Sequence, residues 1–420
     1  MHCNIRLQPR ATALKVAPRH CAQTPRLIGQ ALTNSRYLVV FGACLTQFTI
    51  IGFLFAYGVF IPEFQEELGW SRSLLSVAAA LGTFMMGALA MVAGRLNDRF
   101  GPRRVLGFTG ILYGAGIYLL SDVMQPWQLL LLFGTIIAAG LSPHDVVTLS
   151  TTARWFDKRR GVMSGVVKLG TAAGQVVVPP VTAALIIWYG WREALEILGI
   201  SAAILLVFAA MFMRMPEVPA GGAQAFNIGK SFEDAKRSRV FWTICAMQFL
   251  FFPTLMSVPF HMAVHGIDLG MTKAVAATLL SVVGAASALG RIAVGTLSDG
   301  IGGKNTYSAC LGILLIALLG LASISGHTPL FFVAAAYGFA HGGMFVVVSP
   351  TVARYFGMKA HGAIFGTVLF FGTVGGAGGP ILLGWVFDTW GSYTPAFLTL
   401  AAMNAIAIIL ARTLPPPEPL

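Results

Sequence analysis

Charge is scarce in this chain, and acidic charge is scarcest. Only 10% of the 420 residues are Asp, Glu, Lys or Arg, and only 16 are acids. Soluble domains carry about 25% charged residues. A chain that is 56% hydrophobic, with mean hydropathy +0.76, is therefore not a water-soluble globule. It reads as a polytopic membrane protein. Long polar segments are also rare: only 1–36 and 214–239 are of any size. That leaves little room for the soluble output domain of a membrane sensor. The five cysteines (Cys3, Cys21, Cys44, Cys245, Cys310) show neither paired nor metal-type spacing, so no disulfide framework, metal site or cofactor is expected. An intramembrane enzyme would need clustered catalytic groups. Asp145 is the only acid that falls well inside an apolar run, which argues against an enzyme. The glycines at 165–174 and 366–379 lie within apolar runs and lack a Gly-Lys-Ser/Thr ending, so they form no phosphate loop. They suit closely packed membrane helices.

What the chain does have is apolar runs, at about 37–60, 74–93, 105–121, 128–152, 161–185 and 194–213. A second set follows at about 240–263, 274–294, 305–324, 329–350, 362–386 and 393–411. Each is close to the ~20 residues that cross a hydrocarbon core. The expected fold is an all-α membrane protein of twelve transmembrane helices. With the N-terminus in the cytoplasm, 23 of the 28 Lys and Arg fall on cytoplasmic segments. Only Arg72, Arg192 and Lys273 fall on the other side, and Lys168 and Arg291 lie within spans. This positive-inside bias places both termini in the cytoplasm and the chain in a plasma membrane, a bacterial inner membrane. The net charge of +12 is thus topology, with attraction to anionic lipid, and not a nucleic-acid footprint.

The expected organisation is a basic cytoplasmic tail (1–36), a six-helix bundle (37–213), a linker (214–239), a second six-helix bundle (240–412) and a short tail (413–420). The Arg-rich, acid-poor lead also fits a transit peptide. In the linker, Ser231-Phe232-Glu233-Asp234 reads as a helix N-cap, opening a short amphipathic helix over about 231–239 at the cytoplasmic surface.

One hydrophilic turn stands out between the second and third runs: Gly94-Arg95-Leu96-Asn97-Asp98-Arg99-Phe100-Gly101-Pro102-Arg103-Arg104. A degenerate copy, Gly295-Thr296-Leu297-Ser298-Asp299-Gly300-Ile301-Gly302-Gly303-Lys304, lies 201 residues downstream. Ala153-Arg154-Trp155-Phe156 returns as Ala353-Arg354-Tyr355-Phe356, Gly161 and Gly165 as Gly362 and Gly366, and Pro179 as Pro380. The halves are a parallel repeat, which predicts two pseudo-symmetric bundles with a binding site between them near the midplane.

These residues resemble the major facilitator superfamily across 37–412. The resemblance implies alternating access by rocking of the two halves. It also implies that Asp98 latches the cytoplasmic side closed, with Gly94, Arg99, Gly101 and Arg104 of its turn. The positive N-terminal end of the eleventh span, around Gly362, would attract such a carboxylate. Asp299 would do the same in the other half, with fewer arginines. Within the superfamily the chain is most similar to the monocarboxylate and oxalate/formate transporter branch. The residues that carry this are Tyr57-Gly58-Val59-Phe60, Gly69-Trp70-Ser71-Arg72, Trp155-Phe156-Asp157-Lys158-Arg159-Arg160-Gly161, Asp268-Leu269-Gly270 and Gly290-Arg291-x-x-x-Gly295. In that branch an arginine at the position of Arg291 binds substrate carboxylate. Animal members carry an aspartate four residues earlier, where this chain has Ser287, and a lysine in the first span, where it has none.

Charged side chains deep in a span cost at least ~2.5–3.5 kcal/mol each, so each needs a partner or a task. Arg291 offers a planar fork suited to carboxylate. Lys168 and Asp145 lie at matching depth, roughly 10 and 13 Å from the cytoplasmic ends of adjacent spans at 1.5 Å per residue. Asp145 is expected to hold Lys168 until an anion competes for it, and its protonation would couple transport to protons; a permanent structural pair is the alternative. His341 and His144 could hydrogen-bond substrate or carry a proton. Gln47 and Tyr57 are further polar candidates in the first span. The expected function is a secondary active transporter for a small, monocarboxylate-like organic anion, working as a monomer by proton symport or anion exchange. A drug/proton antiporter or another solute carrier, and a non-transporting sensor, are the alternatives.

Overall fold

A computed structural model of the chain describes residues 24–156, 159–216, 229–324 and 326–416. Among these, twelve helices are long and apolar enough to cross a membrane. In chain order they are α1 (Thr24–Leu68), α2 (Arg72–Phe100), α3 (Pro102–Leu119), α4 (Pro126–Trp155), α5 (Arg160–Tyr189) and α6 (Trp191–Phe212). The second six are α7 (Arg239–Asp268), α8 (Lys273–Ile301), α9 (Gly303–Ser323), α10 (His327–Phe356), α11 (His361–Trp390) and α12 (Thr394–Thr413). The helix of the first apolar run starts at Thr24, well before the run itself. Residues 1–23 of the basic lead and 217–228 of the linker lie outside the described residues.

Local chemistry sets the helix ends. Ser71, Ser238 and Thr272 accept backbone N–H bonds at the starts of α2, α7 and α8. The α2–α3 turn depends on Gly101 at φ +82°, and its repeat mate Gly302, at φ +83°, makes the same turn between α8 and α9. In the linker, Ser231 and Asp234 form a reciprocal capping box that opens a short helix, Phe232–Arg237. Lys230 N donates to the Phe356 carbonyl at 2.8 Å and ties the linker to the end of α10.

Apolar side chains such as Ile187, Phe332, Ile381 and Ile316 are at least 70% exposed on the outside of the helices, as lipid contact requires. The repeat is visible in the packing. Helix α3 packs on α6, as α9 does on α12. The halves meet through α2 with α11 and through α5 with α8, two contacts exchanged by the pseudo-twofold.

Helix α4 is irregular. A π-helical turn at Phe133–Ile137 and the Ser142-Pro143 pair interrupt its ladder just before His144 and Asp145. Proline at 143 supplies no N–H, so the backbone is loosened where the one deep acid sits.

The glycine turn yields a clean stability test. A Cβ at Gly101 meets no atom within 4 Å, so the cost of a side chain there is backbone strain alone. Gly101→Ala is expected to destabilise by about 1–3 kcal/mol. Gly107→Ala, in α3, leaves stability the same or slightly higher. Thermal unfolding of the two variants in detergent checks the pair.

Candidate transport site

Five helices contribute one polar cluster. From α1, Gln47 donates through Nε2 to Asp145 Oδ1 at 2.8 Å, to Thr148 Oγ1 at 3.0 Å and to the His144 carbonyl at 3.0 Å. Its Oε1 accepts from Thr171 Oγ1 of α5 at 2.8 Å. Lys168 Nζ, one turn earlier on α5, donates to the same Asp145 oxygen. His144 donates through Nδ1 to the Leu141 carbonyl at 2.8 Å, which leaves Nε2 3.5 Å from Asp145 Oδ1. Asp145 is thus surrounded by an amide, an ammonium and an imidazole.

The second half supplies the other face. The Lys168 ammonium lies 5.2 Å from the centre of the Phe345 ring on α10. Arg291 of α8 reaches across the interface and donates through Nη1 to the Lys168 carbonyl at 2.7 Å. It is only 4% exposed, and its Nε has no hydrogen-bond partner among the described residues. No carboxylate pairs with it among the described residues. Beside it, Ser287 Oγ lies 3.4 Å from His341 Nδ1, and the His341 ring packs 5.1 Å from Phe345. The cluster therefore holds Asp145, Lys168 and Arg291, one negative and two positive groups. Its net charge is positive even with Lys168 paired.

A second polar feature lies at the end of the helices that carries the 94–105 turn, the basic face. Asp98 Oδ2 accepts from Ala363 N at 3.1 Å, in the first turn of α11. Its Oδ1 accepts from Arg154 Nη2 of α4 at 2.6 Å. Asp299 of α8 accepts from Gly161 N at 2.8 Å and Val162 N at 3.0 Å, in the first turn of α5. Each carboxylate thus caps a helix of the opposite half, where free N–H groups and the helix dipole favour it. Glycine makes the approach possible: a Cβ on Gly94 would lie 2.1 Å from the Gly362 carbonyl oxygen, and one on Gly161 would lie 2.1 Å from that of Gly295.

The sequence matches the model of the Major Facilitator Superfamily over residues 43–327 and 266–420. The chain belongs to the major facilitator superfamily. It is 30% identical to MFS-type transporter 1 of Ophiocordyceps sp. over 75% of this chain and 70% of that protein. It is 26% identical to monocarboxylate transporter 13 of Rattus norvegicus over 90% and 89% of the two chains. The fold is similar to that of the E. coli fucose:proton symporter FucP, with a TM-score of 0.71 at 16% identity over 90% of this chain and 98% of that one. This is a multi-pass membrane transporter, not an enzyme.

In this transporter, Gln47, His144, Asp145, Lys168, Arg291 and His341 come together. Tyr57 does not join them. Ten residues along α1 from Gln47, roughly 15 Å away, it donates to the Leu75 carbonyl at 3.1 Å and packs on Phe133. Its wall is apolar, with Phe53, Tyr113 and Ile117. The arginines of the turn are also elsewhere. Arg99 and Arg104 are exposed, Arg99 lies over the Phe100 ring, and neither touches Asp98. Arg154 does so instead. Thr148 and Thr171 were missed at the sequence level, although each lies three residues after Asp145 or Lys168 and so on the same helix face. Among the described residues no three His, Cys, Asp or Glu side chains could hold a metal ion.

Removing Arg154 strands a mostly buried carboxylate, whereas Arg99 and Arg104 are solvated. Arg154→Ala is expected to lower unfolding stability by about 1–3 kcal/mol. Arg99→Ala and Arg104→Ala should stay within about 0.5 kcal/mol of wild type. Thermal unfolding of the three variants side by side checks the assignment.

Proposed function

We propose that this transporter moves a small organic anion, monocarboxylate-like, by alternating access, with its basic face in the cytoplasm. The observation that carries the reading is Arg291. A guanidinium that is 4% exposed, holds a backbone carbonyl and has no carboxylate among the described residues leaves the site with surplus positive charge. A buried charge of that kind is costly until an opposite charge arrives. A carboxylate can take two parallel N–H bonds from it. Neither a sugar nor a cationic drug would neutralise it. Similarity to a monocarboxylate transporter along nine-tenths of the chain supports the same reading.

The conformation suggests how the cycle starts. At the basic face α2 meets α11 along Gly94, Ala90 and Gly87, and α5 meets α8 at Gly161 and Gly165. Further from that face, a Cβ on Gly284 of α8 or Gly378 of α11 would meet nothing within 4 Å. We read this as the cytoplasm-closed state. An anion entering from the opposite face reaches Arg291 and competes with Asp145 for Lys168. Asp145 then takes a proton, which frees the lysine, and the Asp98 and Asp299 caps release as the halves rock. In this scheme Asp145 and His144 carry the coupling, and His341 completes the site.

Counterflow in proteoliposomes tests the reading. Trace carboxylate should accumulate against unlabelled carboxylate, and Arg291→Ala should weaken apparent affinity by about ten- to a hundredfold, the loss of one charge-assisted contact of ~1.5–3 kcal/mol. Counterflow driven by lipophilic cations and not by carboxylates would overturn it. The sign of the pH effect follows from the scheme. Lower external pH protonates Asp145 and should raise wild-type uptake. Asp145→Asn should flatten that dependence, and an unchanged profile would remove Asp145 from coupling.

A further inference from the structure

The sequence around Gln47 returns in the second half. Cys44-Leu45-Thr46-Gln47-Phe48 in α1 corresponds to Cys245-Ala246-Met247-Gln248-Phe249 in α7, at the offset of 201 found elsewhere. The structure keeps the correspondence. A Cβ on Gly174 would lie 2.2 Å from the Phe48 carbonyl oxygen, and one on its mate Gly375 would lie 2.2 Å from that of Phe249. Gln248 thus occupies in its half the place that Gln47 occupies in the polar cluster.

Their surroundings differ. Gln47 is fully saturated by Asp145, Thr148, the His144 carbonyl and Thr171. At the offset of 200 that Ala153 and Ala353 set for α4 and α10, the mate of Thr148 is Val348, and at 201 the mate of Thr171 is Gly372. Gly372 has no side chain to offer, and a Cβ there would lie 3.5 Å from Gln248 Nε2. Val348 has no hydroxyl to offer, and that of its neighbour Ser349 does not bond the amide. Gln248 is 0% exposed, and neither Nε2 nor Oε1 has a hydrogen-bond partner among the described residues. Ser349 Oγ is likewise buried and unpaired. The neighbouring Phe252 ring lies 5.9 Å from Phe345, the ring that carries Lys168. Buried amides are almost always bonded, so an amide with both ends free at this depth needs an account.

We infer that Gln248 is a specificity-determining residue of the transport site, reading a neutral hydrogen-bonding substituent, a hydroxyl, on the transported carboxylate. An amide offers a donor and an acceptor, and a hydroxyl can answer both. An ionised carboxylate can only accept, and Arg291 already serves it. The inference rests on the carboxylate reading above. It adds that the site separates hydroxylated from unsubstituted acids.

The test compares short-chain carboxylates in pairs, with and without a 2-hydroxyl, by counterflow and by thermal stabilisation of purified protein. Wild type should prefer the hydroxylated member of a pair. Gln248→Leu should reduce that preference about tenfold, with affinity for the unsubstituted acid unchanged. Without ligand the leucine variant should be as stable as wild type or more stable, since a buried unpaired amide has been removed; a packing role predicts a loss. Gly372→Ser keeps Gln248 and gives it a protein partner at the position of Thr171. It should lower the preference too, whereas Gly372→Ala, which crowds Phe252 equally, should not. A preference that survives Gln248→Leu overturns the inference and leaves the anion reading standing. If wild type binds no carboxylate at all, the anion reading falls, and this inference with it.

Discussion

A buried positive charge without a negative partner among the described residues governs the middle of this molecule. Two cations and one carboxylate share a space that excludes most water. Lys168 takes the carboxylate, and Arg291 takes a backbone carbonyl of the same helix. A carbonyl dipole satisfies one guanidinium hydrogen but not the charge, and Nε has no partner among the described residues. The arrangement also links the halves, because the bond from α8 ends on the backbone of α5 beside the lysine. Any guest that draws Arg291 or Lys168 toward itself therefore acts directly on the α5–α8 contact.

That contact and its α2–α11 mate are where the halves are held together. Each is built from a carboxylate at the end of one helix, the free N–H groups at the start of another, and glycines that remove every intervening Cβ. The two caps are not equal. Asp98 adds an ion pair with Arg154, while Asp299 relies on two backbone N–H groups, and no arginine pairs with it among the described residues. The Arg154 pair lies within the first half; across the interface Asp98 accepts from Ala363 N, and Asp299, on the helix pair that carries Arg291, accepts from Gly161 N and Val162 N.

Much of this was legible in the sequence, for identifiable reasons. Helices long enough to span are written as apolar runs, and the twelve of them were visible. The match of Asp145 with Lys168 was legible because depth is arithmetic along antiparallel helices. What stayed hidden depends on rotation about the helix axis and on which helices touch. Arg99 and Arg104 lie beside Asp98 in sequence, but helical rotation turns them to the surface, and Arg154 arrives from a different span. Tyr57 shares a helix with Gln47 yet faces another wall some three turns away. The π-turn and the Ser142-Pro143 break in α4 were invisible to hydropathy, which counts side chains and not backbone bonds.

The repeat itself was visible, but its most informative use is where it fails. Duplicated helices begin with identical side chains on both sides of the pseudo-twofold. Here the first half has kept Gln47, Asp145, Thr148, Lys168 and Thr171 as a closed hydrogen-bonded set, while the second half places Phe345, Leu369 and Gly372 near the matching positions. It keeps the glutamine without its partners. A side chain that only filled space would have been free to become apolar along with its neighbours, since a buried amide without partners works against folding. Such a group persists without a structural return when something outside the fold answers it. Under the carboxylate reading proposed above, the guest sits between an ionic wall and an aromatic one, with Arg291 contributed by the half that carries Phe345 where the other carries Asp145.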